Sequence, residues 1–285
     1  MTSWAYRRVM TIPSASSGRP VGELLRVWRE RRGLSQLHLA CRAEVSSRHV
    51  SFLETGRSQP SREMLLHLAE ELEIPLRERN ALLMAAGYAP VYAERSLDDP
   101  ALQATREAVE LVLKGHEPYP ALAVDRHWRL VSANRALGLL LTGIAPELLQ
   151  PPVNVLRLSL HPSGLAPRII NLEQWREHLL TRLRHQVELT ADPVLSALHE
   201  ELRGYSAQKP RSRGTDREHE AAAVVVPLRL ETAVGNLSFF STITVFGTPI
   251  DITLSELAIE AFFPADPATA EALRRLVGEA AQKAP

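Results

Sequence analysis

Ser47, Arg48, Ser51 and Phe52 are the side chains of this sequence whose types and spacing could read a nucleic-acid base. At about 100° per residue along a helix, Arg48, Ser51 and Phe52 point away from the face shared by Val50 and Leu53. Ser47 is placed less squarely, and His49 and Glu54 lie at the sides. Arginine can chelate guanine O6 and N7, serine can bond a base edge or a phosphate, and an aromatic ring can touch a thymine methyl. A short helix with that outward face fits a major groove, so these four residues are the candidates for base contact. Upstream, Gln36 stands at an exposed first turn where its amide can reach a phosphate.

Such side chains need elements to hold them. Ser35 is placed as an N-cap, and Leu37, Ala40 and Cys41, with Leu39 on the flank, give a short helix one apolar face. The chain must then turn at Ala43-Glu44, Val45 can plug the core, and Ser46 caps a second helix that runs to about Thr55 and stops at Gly56. A preceding helix is expected over Val21 to Arg32, with Leu24, Leu25 and Trp28 on one side. After Arg57-Ser58-Gln59-Pro60-Ser61 comes another apolar stripe of Met64, Leu65, Leu68, Ala69 and Leu72. Ile74-Pro75 opens a last helix through Leu82, Leu83 and Ala86, closed by Gly87. Together these predict an all-α unit of five helices.

Through Ser35-Gln36, Ala40, Val45-Ser46, Val50, Leu53-Glu54 and Gly56, residues 21 to 88 resemble the lambda-repressor-like, xenobiotic-response-element (Cro/C1-type) bacterial regulators. The resemblance implies double-stranded DNA as partner, with Gln36, Arg57 and Ser58 on the backbone and Ser47, Arg48, Ser51 and Phe52 toward bases. Phe52 departs from the polar residue often found there, so its partner is a methyl group or a neighbouring subunit.

The chain has 33 basic and 33 acidic residues, which hides an uneven distribution. From Arg19 to Arg62 nine arginines face four glutamates, a surplus of five positive charges that the remainder cancels. One part can therefore attract DNA while the other repels it, and binding should fall with salt. At 285 residues and 45% hydrophobic content there is room for a second core. No run approaches the roughly 20 apolar residues that span a bilayer, and Arg7-Arg8 lacks the apolar stretch of an export signal. A single Cys41 permits no internal disulfide and is expected as a small core residue. The expected location is the cytoplasm, on the nucleoid when DNA is bound.

A bridge from Tyr88 to Pro100, with Pro90 and Asp98-Asp99, breaks the helical pattern. Leu102 to Leu113 has helical spacing. Ala121 to Val124 and His127 to Ser132 then make a hairpin around Asp125-Arg126, and Asn134 is placed to cap a helix with Leu137, Leu140 and Leu141. Leu172 to Leu189 is a long amphipathic helix with Trp175, Leu179, Leu180 and Leu183 on its apolar side, and Asp192-Pro193 starts another. Ser206 to Glu220 reads as a mobile polar loop. Ala223 to Leu230, Leu237 to Phe246 and Leu254 to Phe263 read as antiparallel strands, the first two joined at Val234-Gly235-Asn236, and Asp266-Pro267 caps a final helix.

The segments His116 to Leu122, Asp125 to Trp128, Ser132 to Ala136, His161 to Leu165, Phe239 to Pro249, Leu254 to Leu257 and Phe262 to Asp266 resemble the ligand-binding domain of MmyB-like transcription regulators. This implies a PAS-like sheet, covered by helices, around a small apolar molecule; the ligand type known in the family is a long-chain fatty acid. Strand parity and helix facing place Trp128, Leu137, Trp175, Phe239, Ile243 and Val245 near such a cavity, with Arg168 or His161 as partners for a carboxylate.

Enzyme readings fare poorly. His199-Glu200-Glu201-Leu202-Arg203 begins like a metalloprotease helix, but Arg203 stands where the second histidine is required. His178 and His185 share a helix face without a further soft ligand, and the chain has no nucleophile elbow, phosphate loop or dinucleotide fingerprint. The expectation is an α+β protein: a tail over 1–20, a DNA-binding domain over 21–88, a linker over 89–104, a PAS-like domain over 105–275 and a tail over 276–285. It would act as a homodimeric, non-enzymatic transcription regulator that senses a small apolar ligand, requires no cofactor or metal and engages no membrane. The alternative is a regulator whose second domain only dimerises or binds a protein.

Overall fold

The computed structural model describes residues 18–205, 226–246 and 251–282. They divide into two compact units. The first holds the residues up to Arg95 with Val187–Pro193 and 251–255; the second holds Ser96–Gln186 and the other described residues. The expected loop at 206–220, residues 1–17 of the expected tail and 223–225 of an expected strand lie outside the described residues.

In the first unit five helices, α1 (Val21–Arg31), α2 (Gln36–Arg42), α3 (Ser47–Glu54), α4 (Arg62–Glu71) and α5 (Leu76–Ala85), surround one core that includes Leu25, Leu39, Leu53, Leu65, Leu68, Leu82 and Leu83. Three starts are serine caps: the Oγ atoms of Ser35, Ser46 and Ser61 accept from the amides of His38, His49 and Met64 at 3.1, 3.1 and 3.2 Å. Between α2 and α3 the Val45 amide closes onto the Ala40 carbonyl at 2.9 Å while Glu44 adopts the left-handed region at φ 52°. That turn directs Leu39, Ala40 and Ala43 inward. Leu37 is therefore 60% exposed and Cys41 is exposed, which corrects the apolar face expected from Leu37, Ala40 and Cys41 and the core placement of Cys41. Both stripes obey helical spacing, and only the turn geometry selects between them. Gly22 lets α1 approach α3 closely, because a Cβ there would fall inside contact distance of the Leu53 and Glu54 carbonyl oxygens.

The second unit contains a curled antiparallel sheet in the order β2-β1-β5-β4-β3, from β1 (Ala121–Val124), β2 (Leu130–Ala133), β3 (Leu228–Thr232), β4 (Gly235–Val245) and β5 (Ala258–Pro264). One face rests on α6 (Gln103–Gly115), whose Val109 and Leu113 pack with Ala121, Ala123 and Ile259. Across the other face lie α7 (Arg135–Leu140), α8 (Val155–Leu160) and α9 (Leu172–Thr190); α10 (Pro193–Gly204) follows. Asn134 ties these layers together: its Oδ1 accepts from Leu137 and Ala121, and its Nδ2 donates to the Leu113 and Tyr119 carbonyls. Both the oxygen and the nitrogen of this buried amide are fully used, the condition for keeping it inside.

Several boundaries shift for local reasons. The β1–β2 turn extends to Arg129, because Asp125 Oδ1 captures the amides of His127 and Arg129 at 2.8 and 2.9 Å before a ladder can use them. β3 and β4 are joined by Ala233-Val234 rather than at Val234-Gly235-Asn236, with Gly235 already paired to Thr232. Ile252–Ser255 forms a helical turn, α11, ahead of β5. The last helix, α12 (Pro267–Gln282), runs past 275, where a tail was expected, because Leu276 and Val277 and the alanines after them continue a helix-forming run.

Candidate DNA-reading surface and ligand cavity

Helix α3 buries Val50 and Leu53 and leaves Ser47 and Arg48 exposed, with Ser51 and Phe52 half-buried. Arg48 and Phe52 are one turn apart. The guanidinium carbons of Arg48 and Arg57 lie over the Phe52 ring, 5.1 and 5.8 Å from its centroid. Arg57 is brought there by the helix end: Gly56 at φ 72° lets the Arg57 and Ser58 amides return to the Phe52 carbonyl at 2.9 and 3.2 Å. Neither arginine has a carboxylate partner among the described residues, whereas Arg26, Arg29 and Arg42 each pair with a glutamate. The positive surplus is thus left open beside Phe52, which acts first as the platform for two cations, each contact worth about 0.5–1 kcal/mol at an exposed site.

Beneath this surface lies a network that the residue pattern did not reveal. Glu54, whose side chain is 2% exposed, accepts from Arg29 Nε at 2.6 Å and Nη2 at 3.0 Å, and from Gln36 Nε2 at 2.8 Å. Arg29 Nη1 also donates to the Leu34 carbonyl at 2.7 Å. The hydrogen bond to Glu54 raises the Arg29 pKa above its usual range. One amide hydrogen of Gln36 is committed to this network, which leaves the other for an outside acceptor. The three sites are 25 and 18 residues apart, so only the helical periodicity of Arg29 on the α1 core side could have hinted at the pairing.

In the second unit the sheet face opposite α6 and helices α7 to α9 line an apolar cavity that is partly open to solvent. Leu122, Phe239 and Phe262 line it from the sheet, Leu137 and Leu140 from α7, Leu156 and Leu158 from α8, and Trp175 and Leu179 from α9. Among the described lining residues Ser159 and Glu260 alone are polar. Ser159 Oγ accepts from Trp175 Nε1 at 2.9 Å, which fixes the indole against the wall. Of the expected cavity residues, the structure brings together Leu137, Trp175 and Phe239.

The other five lie elsewhere. Ile243 and Val245 share strand parity with Phe239, yet they extend past the cavity and are 43% and 61% exposed. Arg168 is spent on backbone: it donates to the Leu140, Thr142 and Glu231 carbonyls, so it clamps loops instead of facing a ligand. His161 Nδ1 accepts from the Ser163 amide at 3.0 Å, and its ring packs edge-on against Tyr205. Trp128 does not line the cavity; it is buried with φ 62°, donates to Gln186 at 2.8 Å and carries the Arg182 guanidinium 4.3 Å from its ring centroid. A bulky residue in that left-handed conformation is strained and persists because its surroundings hold it. The charged group of the site is instead Glu260, beside Arg182 on the Trp175-Leu179 face of α9, and position parity on β5 with Phe262 was the one available sign of it.

His178 stacks on Trp175, and burial, followed by the Arg182 charge, pushes its pKa below the usual value. Among the described residues no cluster of three or more metal-ligating side chains occurs, and no helix is long and apolar enough to cross a membrane.

A capped helix pair with an open cationic face, together with a sheet-and-helix domain around an apolar cavity, defines a transcription regulator with a DNA-binding part and a ligand-binding part. Residues 20–82 match the helix-turn-helix domain family, and residues 105–276 match the MmyB-like transcription regulator ligand binding domain. The chain belongs to the MmyB-like transcription regulators, whose domains here are regulatory, not enzymatic, families. A solved RNA-binding light-oxygen-voltage receptor is similar at 13% identity, over 97% of this chain and 70% of that one, with a TM-score of 0.26, too loose a likeness to bear on fold or function. No curated protein matches the chain.

Proposed function

We propose that a small apolar ligand in the cavity of the second unit sets the operator affinity of α2 and α3. The observation that carries this reading is the cavity itself, whose described lining is apolar apart from Ser159 and Glu260, in a chain that also holds a helix-turn-helix domain. A long-chain fatty acid is the ligand class implied by the family resemblance, and the wall of leucines, Trp175 and Phe239 suits an acyl chain. Arg48, Ser47, Ser51 and Phe52 face the bases, while Gln36, Arg57 and Ser58 hold phosphates. Two copies of the chain would set their α3 helices in successive major grooves, so half-sites lie about one helical turn apart.

The ligand acts only through different affinities for the DNA-competent and incompetent arrangements, a coupling of about 1–3 kcal/mol in typical systems. Gel-shift titration of the full chain on its own promoter DNA, with and without fatty acids, measures it. A five-fold or larger change in operator affinity, about 1 kcal/mol, is expected. An operator affinity indifferent to every lipid tried refutes the coupling.

A further inference from the structure

Glu260 is an unusual wall for an apolar cavity. Its side chain is 7% exposed, it sits on β5 opposite Leu122 with its side chain on the same face as Phe262, and both of those neighbours line the cavity. Its one hydrogen bond among the described residues is donated by Arg182 Nη1 to Oε1 at 3.2 Å. Arg182 does not itself line the cavity; it is held from the far side by Trp128, and its Nη2 is buried without an acceptor among the described residues. Among the described residues, a ligand in the cavity therefore meets an acceptor, the carboxylate, and no cation.

Resting on the reading that the cavity holds a ligand, we propose that this ligand carries a hydroxyl group that donates to Glu260. An ionised carboxylate at that position would oppose the Glu260 charge at short range and lose its own hydration. An ammonium would satisfy Glu260 but carry an unneutralised charge into apolar surroundings beside Arg182. A hydroxyl brings a donor at no cost in charge. A fatty acid can enter only with its carboxylate turned away from Glu260.

The strained backbone of Trp128 has a purpose in this scheme. The Asp125 turn that forces it also delivers the indole under Arg182, and Gln186 fixes the ring by accepting from Nε1. Arg182 in turn holds Glu260 in place as an acceptor.

Decanol, decyl methyl ether and decanoate, titrated into the full chain and followed by calorimetry and intrinsic tryptophan fluorescence, separate the alternatives. Decanol should bind roughly tenfold or more tightly than the ether, the range of a hydrogen bond to a charged group, and more tightly than decanoate. In the double variant Glu260→Leu with Arg182→Leu, which removes the pair without stranding either charge, the alcohol should lose its advantage over the ether. Equal binding of alcohol and ether by the natural chain overturns the hydroxyl assignment and leaves the cavity reading standing, as does decanoate binding best. Failure of all three to bind overturns both. The comparison within the natural chain decides the matter even if the double variant does not fold.

Discussion

Each unit of the molecule contains a buried arginine–glutamate pair, and the two are built differently. Glu54 in the first unit accepts three hydrogen bonds, from both faces of the Arg29 fork and from Gln36, while Arg29 spends its remaining nitrogen on the Leu34 carbonyl. Glu260 in the second unit has one bond at 3.2 Å, and its arginine keeps a buried nitrogen without an acceptor. Burying two charges is favourable only when their hydrogen-bonding capacity is met. A closed network therefore joins helices, here α1 to the end of α3 and the start of α2, and fixes the surface proposed to face DNA. An open pair at the edge of a cavity has capacity left for something from outside.

This contrast predicts unequal responses to the same substitution. Glu54→Gln removes the charge that neutralises buried Arg29 and turns an amide NH2 toward donors in a site that is already full, so it should destabilise the chain by about 3–5 kcal/mol. Glu260→Gln keeps an acceptor for Arg182 at a looser site and should cost about 1 kcal/mol. Urea unfolding of both variants tests the difference. Equal losses would mean that the Glu260 pair is as structural as the other, and would remove the physical basis for treating it as a binding group.

A smaller effect is expected on the surface that the closed network supports. Arg48→Ala should relax discrimination among operator bases by about 1–3 kcal/mol, whereas Arg57→Ala should weaken all sequences about equally. Phe52→Ala removes the ring beneath both guanidinium groups, so it should lower specific and non-specific affinity together, by about 1 kcal/mol. Binding assays on operator and scrambled DNA resolve these patterns. If Phe52→Ala changes only the preference at one A·T position, the ring is a reader of thymine and not a platform.

The first unit was the more legible of the two in the sequence, because its determinants are local. Ser35, Ser46, Ser61 and Gly56 each govern a helix end within three or four residues, and the helices follow from them. The face of α2 is ambiguous in the sequence because Leu37 and Leu39 both satisfy a helical stripe, and only the left-handed turn at Glu44 settles which is buried. In the second unit, strand parity correctly set Phe239 inward but could not show where the covering helices end, so Ile243 and Val245 were carried too far. Arg168 was beyond reach for the same reason, and Glu260 showed only its parity with Phe262. Whether a charged side chain meets backbone carbonyls or a cavity depends on chain segments 26 to 78 residues away.

The smallest expected effect concerns acid, and it also falls on the open pair. His178 stacks on Trp175 within influence of Arg182 and Glu260, and burial and the Arg182 charge hold its pKa below 6.5. A histidine whose folded pKa is lowered binds fewer protons when folded than when unfolded, so stability rises with pH across the interval between the two values. The contribution is therefore complete above 6.5 and is lost as pH falls from there to the folded value. Glu201 behaves in the same direction but lower on the scale: its hydrogen bond from Arg157 holds its pKa below 4.5, so its share is lost only as acid passes through that lowered value. His178→Phe keeps a ring on Trp175 and removes the titration. Denaturant midpoints at about pH 7 and about pH 5.5 should differ less in this variant than in the natural chain, and an unchanged difference would place the acid sensitivity elsewhere than His178.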